Sequence, residues 1–172
     1  MTNYQLAKLI FLSGGIESRK RIQKTVHLLQ AAGAEFELAF RLHHYGPYSA
    51  ELAEKLDWMA ENKILLETTN QTHVGKQYAY QLSEQAREKM QSFEATEAGQ
   101  TAAAGIERFR EQLFRLKQTG PRVLELASTL VAYFQDKADW ESALAATAAF
   151  KQEAVTSPNM QESLHLAQSL VA

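Results

Sequence analysis

Apolar residues recur at spacings of three and four along most of the chain, and in two places this rhythm gives way to alternation. Leu6, Leu9, Ile10 and Ser13 share one face, predicting a helix over residues 3–12 that Gly14-Gly15 ends. Ile22, Val26 and Leu29 form the inner stripe of a second helix, capped by Ser18 or Glu17 and stopped by Gly33. Residues 36–42 alternate enough to predict a strand. Gly46-Pro47 turns the chain there, because proline has no backbone N–H to donate to a ladder. Ser49 caps a third helix to about Asn62, with Leu52, Leu56 and Met59 inward. Residues 64–69 and 77–82 are apolar, β-branched and aromatic around a polar link at 70–76, a hairpin with a moderately long loop. Helix, helix, strand, helix, hairpin is the order of a winged helix-turn-helix, with the link as the wing.

The rest of the chain reads as helix. Ser83 opens one to about Ala95, and the small residues from Gly99 to Gly105 suggest a joint. Ile106, Phe109, Leu113 and Leu116 repeat as an a/d seam. Gly120-Pro121 closes that helix and starts the next, whose stripe is Val123, Leu126, Ala127, Leu130 and Phe134. Asp139 caps another helix holding Leu144 and Phe150, and Ser157-Pro158 begins the last. The expected architecture is mainly α within α+β: a winged-helix domain over residues 1–95, then a C-terminal helical bundle over 96–172. An outward seam at 106–116 or 123–134 would suit a homodimer, and a bundle packed on the winged helix is the other arrangement.

Composition narrows the function classes. The chain has 172 residues, 45% hydrophobic and 22% charged, as in an ordinary folded protein. Without cysteine there is no disulfide, no thiolate chemistry and no cysteine-type zinc site. No apolar run is long enough to span a membrane, and the first residues do not read as a secretory signal, so the cytoplasm is the expected location. Formal net charge is −2. Residues 1–82 carry nine Lys/Arg against eight Asp/Glu, and residues 83–172 nine against twelve. Neither half is basic, so contact with nucleic acid would need a local patch.

The stretch Ser18-Arg19-Lys20-Arg21-Ile22-Gln23-Lys24, then Leu28-Leu29-Gln30, then His43-His44-Tyr45-Gly46-Pro47-Tyr48-Ser49 and Leu52, resembles the YwgA-like family of bacterial proteins. Residues 124–130 look like that family's helical C-terminal segment. The Tyr-Gly-Pro turn after a helix is more distantly similar to the Panacea antitoxin domain. The resemblance implies a fold like that of winged-helix regulators, no catalytic residues and a non-enzymatic binding module. It covers about residues 4–82, and more patchily 106–135.

Arg19, Lys20, Arg21 and Lys24 form the densest basic patch, on the first turns of the second helix. Arginine forks could hold phosphates, or the patch is a solvated face paired with nearby glutamates. Cations on a first turn oppose the helix dipole, which favours a compensating partner. His73 and Lys76, with Asn70 and Gln71, give the wing donors for a minor groove or phosphate. The third helix holds Glu51, Glu54, Asp57 and Glu61 against Lys55, a net of −3 in the position that normally enters a major groove. That charge argues for protein contact, with Trp58 as its anchor; burial of Trp58 against the C-terminal helices is the alternative. His43 and His44 are neighbours on a strand and point to opposite faces, so they do not readily share a metal. One of them is expected to be buried beside Tyr45, with Tyr45 and Tyr48 packed over Gly46-Pro47. No nucleophile elbow, Walker loop or dinucleotide fingerprint is present, and no cofactor is implied.

Two functions follow as expectations. The first is a regulator-like protein binding double-stranded DNA through Arg19, Lys20, Arg21, Lys24 and the wing. The second is an antitoxin-like module binding a protein through the acidic third helix. An enzyme built around His43 and His44 is a distant third.

Overall fold

The computed structural model describes residues 1–72 and 75–171, and for 70–72 and 75–77 the backbone alone. The helices form where the apolar stripes predict them: α1 (Asn3–Leu12), α2 (Arg19–Ala31), α3 (Ala50–Glu61) and α4 (Glu84–Glu94). Their starts are fixed by side chains that accept from the backbone three residues on. Thr2 caps α1, Ser18 caps α2, Ser49 caps α3 and Ser83 caps α4.

A short strand β1 (Ile16–Glu17) lies between α1 and α2, and β2 (Arg41–His43) pairs with β3 (Gly46–Tyr48) before α3. Strands β4 (Leu65–Thr72) and β5 (Gly75–Leu82) form the hairpin, and β1 pairs antiparallel with β5, giving the sheet order β1-β5-β4. Three helices and a three-stranded antiparallel sheet, built from the hairpin and β1, follow one another in the element order the sequence predicts, within a mainly helical α+β fold. The ladder runs out to Thr72 opposite Gly75, so the predicted long polar loop is largely strand. His73 lies outside the described residues, and Lys76 is described only by its place in β5.

The strand expected over 36–42 is not formed. Glu37 adopts a left-handed φ of 55°, which breaks an extended run. The backbone of Leu38 is instead held on both sides by Gln30, whose Oε1 accepts from Leu38 N–H and whose Nε2 donates to Leu38 C=O, each at 2.9 Å. Phe36 and Leu38 still point into the core. Only residues 41–43 pair as strand.

The C-terminal part contains α5 (Glu97–Glu107), α6 (Arg110–Gln118), α7 (Pro121–Lys137), α8 (Trp140–Lys151) and α9 (Pro158–Val171). The joint expected at Gly99 to Gly105 is helix α5. Gly99 is there because nothing larger fits: a Cβ would sit 1.9 Å from the carbonyl oxygen of Phe93. The predicted helix through Ile106 and Leu116 is broken at Arg108-Phe109, where Arg108 closes α5 and Phe109 precedes α6. Ile106, Phe109, Leu113 and Leu116 all turn inward. Helix α7 lies against α8, α9 and α2, and one hydrophobic core runs from Leu6 through Leu28 and Leu126 to Leu170. Beneath α1, the buried ammonium of Lys8 is held by Glu94 at 3.0 Å and Glu107 at 2.8 Å, tying α1 to α4 and α5.

Candidate functional site

The basic start of α2 is folded inward rather than left free. The Arg19 guanidinium meets Asp57 of α3 at 2.6 Å and Glu67 of β4 at 3.3 Å, and its Nε donates to Tyr80 Oη at 2.7 Å. Tyr80 Oη donates in turn to Glu67 at 2.5 Å. Arg19 therefore staples α2, α3 and the sheet. Arg21 reaches the C-terminal end of α6, where its Nη1 donates to the carbonyls of Leu116 and Thr119, both at 3.0 Å. A cation on the last carbonyls of a helix satisfies orphan acceptors and suits the helix dipole.

Lys24, expected at the surface, is only 5% exposed, and its ammonium donates to the carbonyl of Pro47 at 2.6 Å. Burial lowers its pKa to about 8, opposed by the charge of Glu125 and reinforced by Lys151 and Lys20. Lys20 stays at the surface with its ammonium 3.5 Å from the centre of the Tyr45 ring. The four cations are thus brought together by α2 but put to four different uses.

The aromatic turn is placed differently from the expectation. His43 and His44 are both exposed, His43 beside Tyr48 and His44 beside Tyr45, with ring centres 5.0 Å apart in each pair. Tyr45 is 53% exposed and Tyr48 37%, so neither is packed away over Gly46-Pro47. Gly46 and Pro47 are themselves buried, and Gly46 takes a φ of 87°. A Cβ at Gly46 would lie 2.8 Å from Thr129 Oγ1 of α7, so glycine is required both by conformation and by the approach of α7. Among the described residues, the buried histidine is His27. Its Nδ1 is 3.0 Å from Ser128 Oγ of α7, and its ring meets Phe40 edge to face. Among the described residues no group of three or more His, Asp or Glu is placed to hold a metal.

Helix α3 is set by its neighbours. Buried Gln23 of α2 clamps its start, accepting from Ser49 N–H and donating to Ser49 C=O at 2.9 Å each. Leu52, Leu56 and Met59 fix the inner face. Glu51, Glu54, Trp58 and Glu61, spaced three, four and three apart, then line up on the outer face, and all four are exposed. Trp58 is 47% exposed rather than covered by the C-terminal helices. Asp57 is spoken for by Arg19. The cation nearest in sequence, Lys55, donates to Asn3 Oδ1 at 3.3 Å. Glu51, Glu54 and Glu61 have no cationic partner among the described residues.

Sequence reasoning missed the cluster at the other side of α2. Glu125 of α7 bonds Arg122 at 3.1 Å and Lys151 of α8 at 2.7 Å. Lys151 also donates to the carbonyl of His44 at 2.8 Å, and Arg122 forks onto Glu153. In sequence only the Arg122–Glu125 pair, three apart on one helix, was visible; Lys151 and Glu153 come from the distant end of α8 and the loop after it.

No family model matches the chain. It is similar to the uncharacterized protein YwgA of Bacillus subtilis (strain 168), 31% identical over 80 residues that make up 46% of this chain and 48% of that protein. The chain thus spans about half the length of the curated relative it matches, a distant likeness that supports kinship with YwgA-like proteins. No described helix is long and apolar enough to cross a membrane.

Proposed function

We propose that this chain is a non-enzymatic protein-binding module in which α3 of the winged helix docks a cationic partner segment around Trp58. The observation that carries this is the exposed stripe Glu51, Glu54, Trp58 and Glu61 on the helix that a DNA reader would present to a groove. An exposed tryptophan offers a large rigid surface for a hot spot, and carboxylates around it favour lysine and arginine. The same stripe would meet phosphates with like charge.

The cations of α2 weigh on the same side. Non-specific duplex binding draws on a row of phosphate contacts. Here Arg19 is paired with two carboxylates, Arg21 caps α6 and Lys24 is buried. Winged-helix kinship and the antitoxin-like likeness are compatible with an acidic helix that neutralises a basic partner, and this reading retains both.

The test is photo-crosslinking in the cells that express the chain, with p-benzoylphenylalanine replacing Glu54 or Glu61, and Glu141 on α8 as the control position. A discrete adduct from positions 54 and 61, absent from 141 and lost on Trp58→Ala, is expected. Truncating an anchor of this kind costs about 2 kcal/mol or more, roughly a thirtyfold loss of affinity. Equal adducts from all three positions, or adducts indifferent to Trp58→Ala, would refute the proposal.

A further inference from the structure

Between the starts of α2 and α7 lies a recess of about 450 Å³, lined by Lys20, Arg21, Lys24 and Arg122 together with Glu17 and Glu125. Four cations against two carboxylates leave it at +2. The chain as a whole is at −2, so this concentration of positive charge is local. We propose that the recess binds a small, multiply charged anion of the phosphate class.

Four features support this apart from the charge count. Lys24 is more than nine-tenths buried, and one of its three N–H donors is used by Pro47; no acceptor for the other two is found among the described residues. A buried ammonium left with unused donors gains from an anion. Arg122 is held in place by its fork onto Glu153 and by Glu125, which together use three of its five donors and leave one N–H on each terminal nitrogen for a ligand. Lys20 stands at the rim, its ammonium against the Tyr45 ring, where it can swing onto a ligand without leaving a carboxylate behind. Helix α7 adds an uncapped start, since Gly120 offers it no capping side chain.

Glu125 has a definite part in this arrangement. It is the internal counter-anion of Arg122 and Lys151 and the charge that offsets the burial of Lys24. A phosphate group entering the recess competes with it. Removing that carboxylate's charge should therefore strengthen binding, whereas removing a lining cation should weaken it. The recess offers one concave place for one anionic group, unlike the row of contacts that a duplex backbone needs. The proposal does not depend on the role of α3.

The experiment is calorimetric titration of inorganic pyrophosphate into the full chain at about 50 mM salt, where charge contacts are weakly screened. Lys20→Met and Glu125→Gln are compared with the native chain, and thermal melts without ligand confirm that each is folded. One saturable site is expected, weakened about tenfold in Lys20→Met and tightened in Glu125→Gln. Lys20 is exposed, so its replacement leaves the fold intact and decides the matter alone should Glu125→Gln unfold. No saturable binding up to about 5 mM, the affinity range of a single weak anion site, would overturn the proposal. So would binding that Lys20→Met leaves unchanged. A labelled DNA duplex is the remaining arm: a duplex that binds where pyrophosphate does not would also overturn it.

Discussion

His27 makes the chain acid-sensitive by an amount that can be worked out. It is 4% exposed on α2, wedged against Phe40 and hydrogen-bonded to Ser128 of α7. Burial lowers its pKa from 6.5 to about 4, and the charge of Lys24 adds to the effect. Between those values the unfolded chain carries a proton that the folded chain refuses, so stability falls as pH falls. Integrating the two titrations, the loss relative to neutral pH is about 2 kcal/mol at pH 5 and about 3 kcal/mol at pH 4. His27→Gln keeps a hydrogen-bonding group near Ser128 but cannot titrate. Urea unfolding of both proteins at pH 7, 5 and 4 isolates the term, because every other titrating group is common to the pair. The native chain should lose about 2 kcal/mol more than His27→Gln on going from pH 7 to pH 5. Parallel pH profiles, or a His27 ring that titrates near 6.5 by NMR, would refute the reasoning.

Other positions give equally definite outcomes. Gly99→Ala should destabilise by roughly 1–3 kcal/mol in thermal melts, because its Cβ would overlap the Phe93 carbonyl and force α4 and α5 apart. Arg21→Ala should cost about 1–3 kcal/mol, since the carbonyls of Leu116 and Thr119 lose their donor. That loss should persist in high salt, whereas the destabilisation from Arg19→Ala, which breaks two partly exposed ion pairs, should shrink.

Much of the fold was legible because it is local. Ser18, Ser49, Ser83 and Asp139 cap the helices they precede through bonds three residues long, and the apolar stripes point inward as their spacing requires. The hairpin announced itself by composition. What escaped is set by distant partners. Strand β1 is two residues long and exists because β5 offers it an edge. Gly99 reads as a linker in sequence and is instead a contact surface. Arg21 finds its acceptors some ninety-five residues away, and Lys24 is drawn inward to the carbonyl of Pro47. A run of four cations in sequence therefore said little about which of them face solvent. The acidic stripe of α3 was more readable, because helical spacing alone aligns Glu51, Glu54, Trp58 and Glu61; that Trp58 stays uncovered required the tertiary structure.

In the proposed arrangement the cations of α2 serve the fold and the recess, and α3 is left as the partner-facing surface. Fluorescence anisotropy of a labelled random-sequence DNA duplex, at about 50 and 200 mM salt, tests it most directly, since phosphate contacts show themselves over that range. No saturable binding at micromolar protein is expected at either salt. Tight binding that falls steeply with salt and disappears in Arg19→Ala with Lys20→Ala would contradict it.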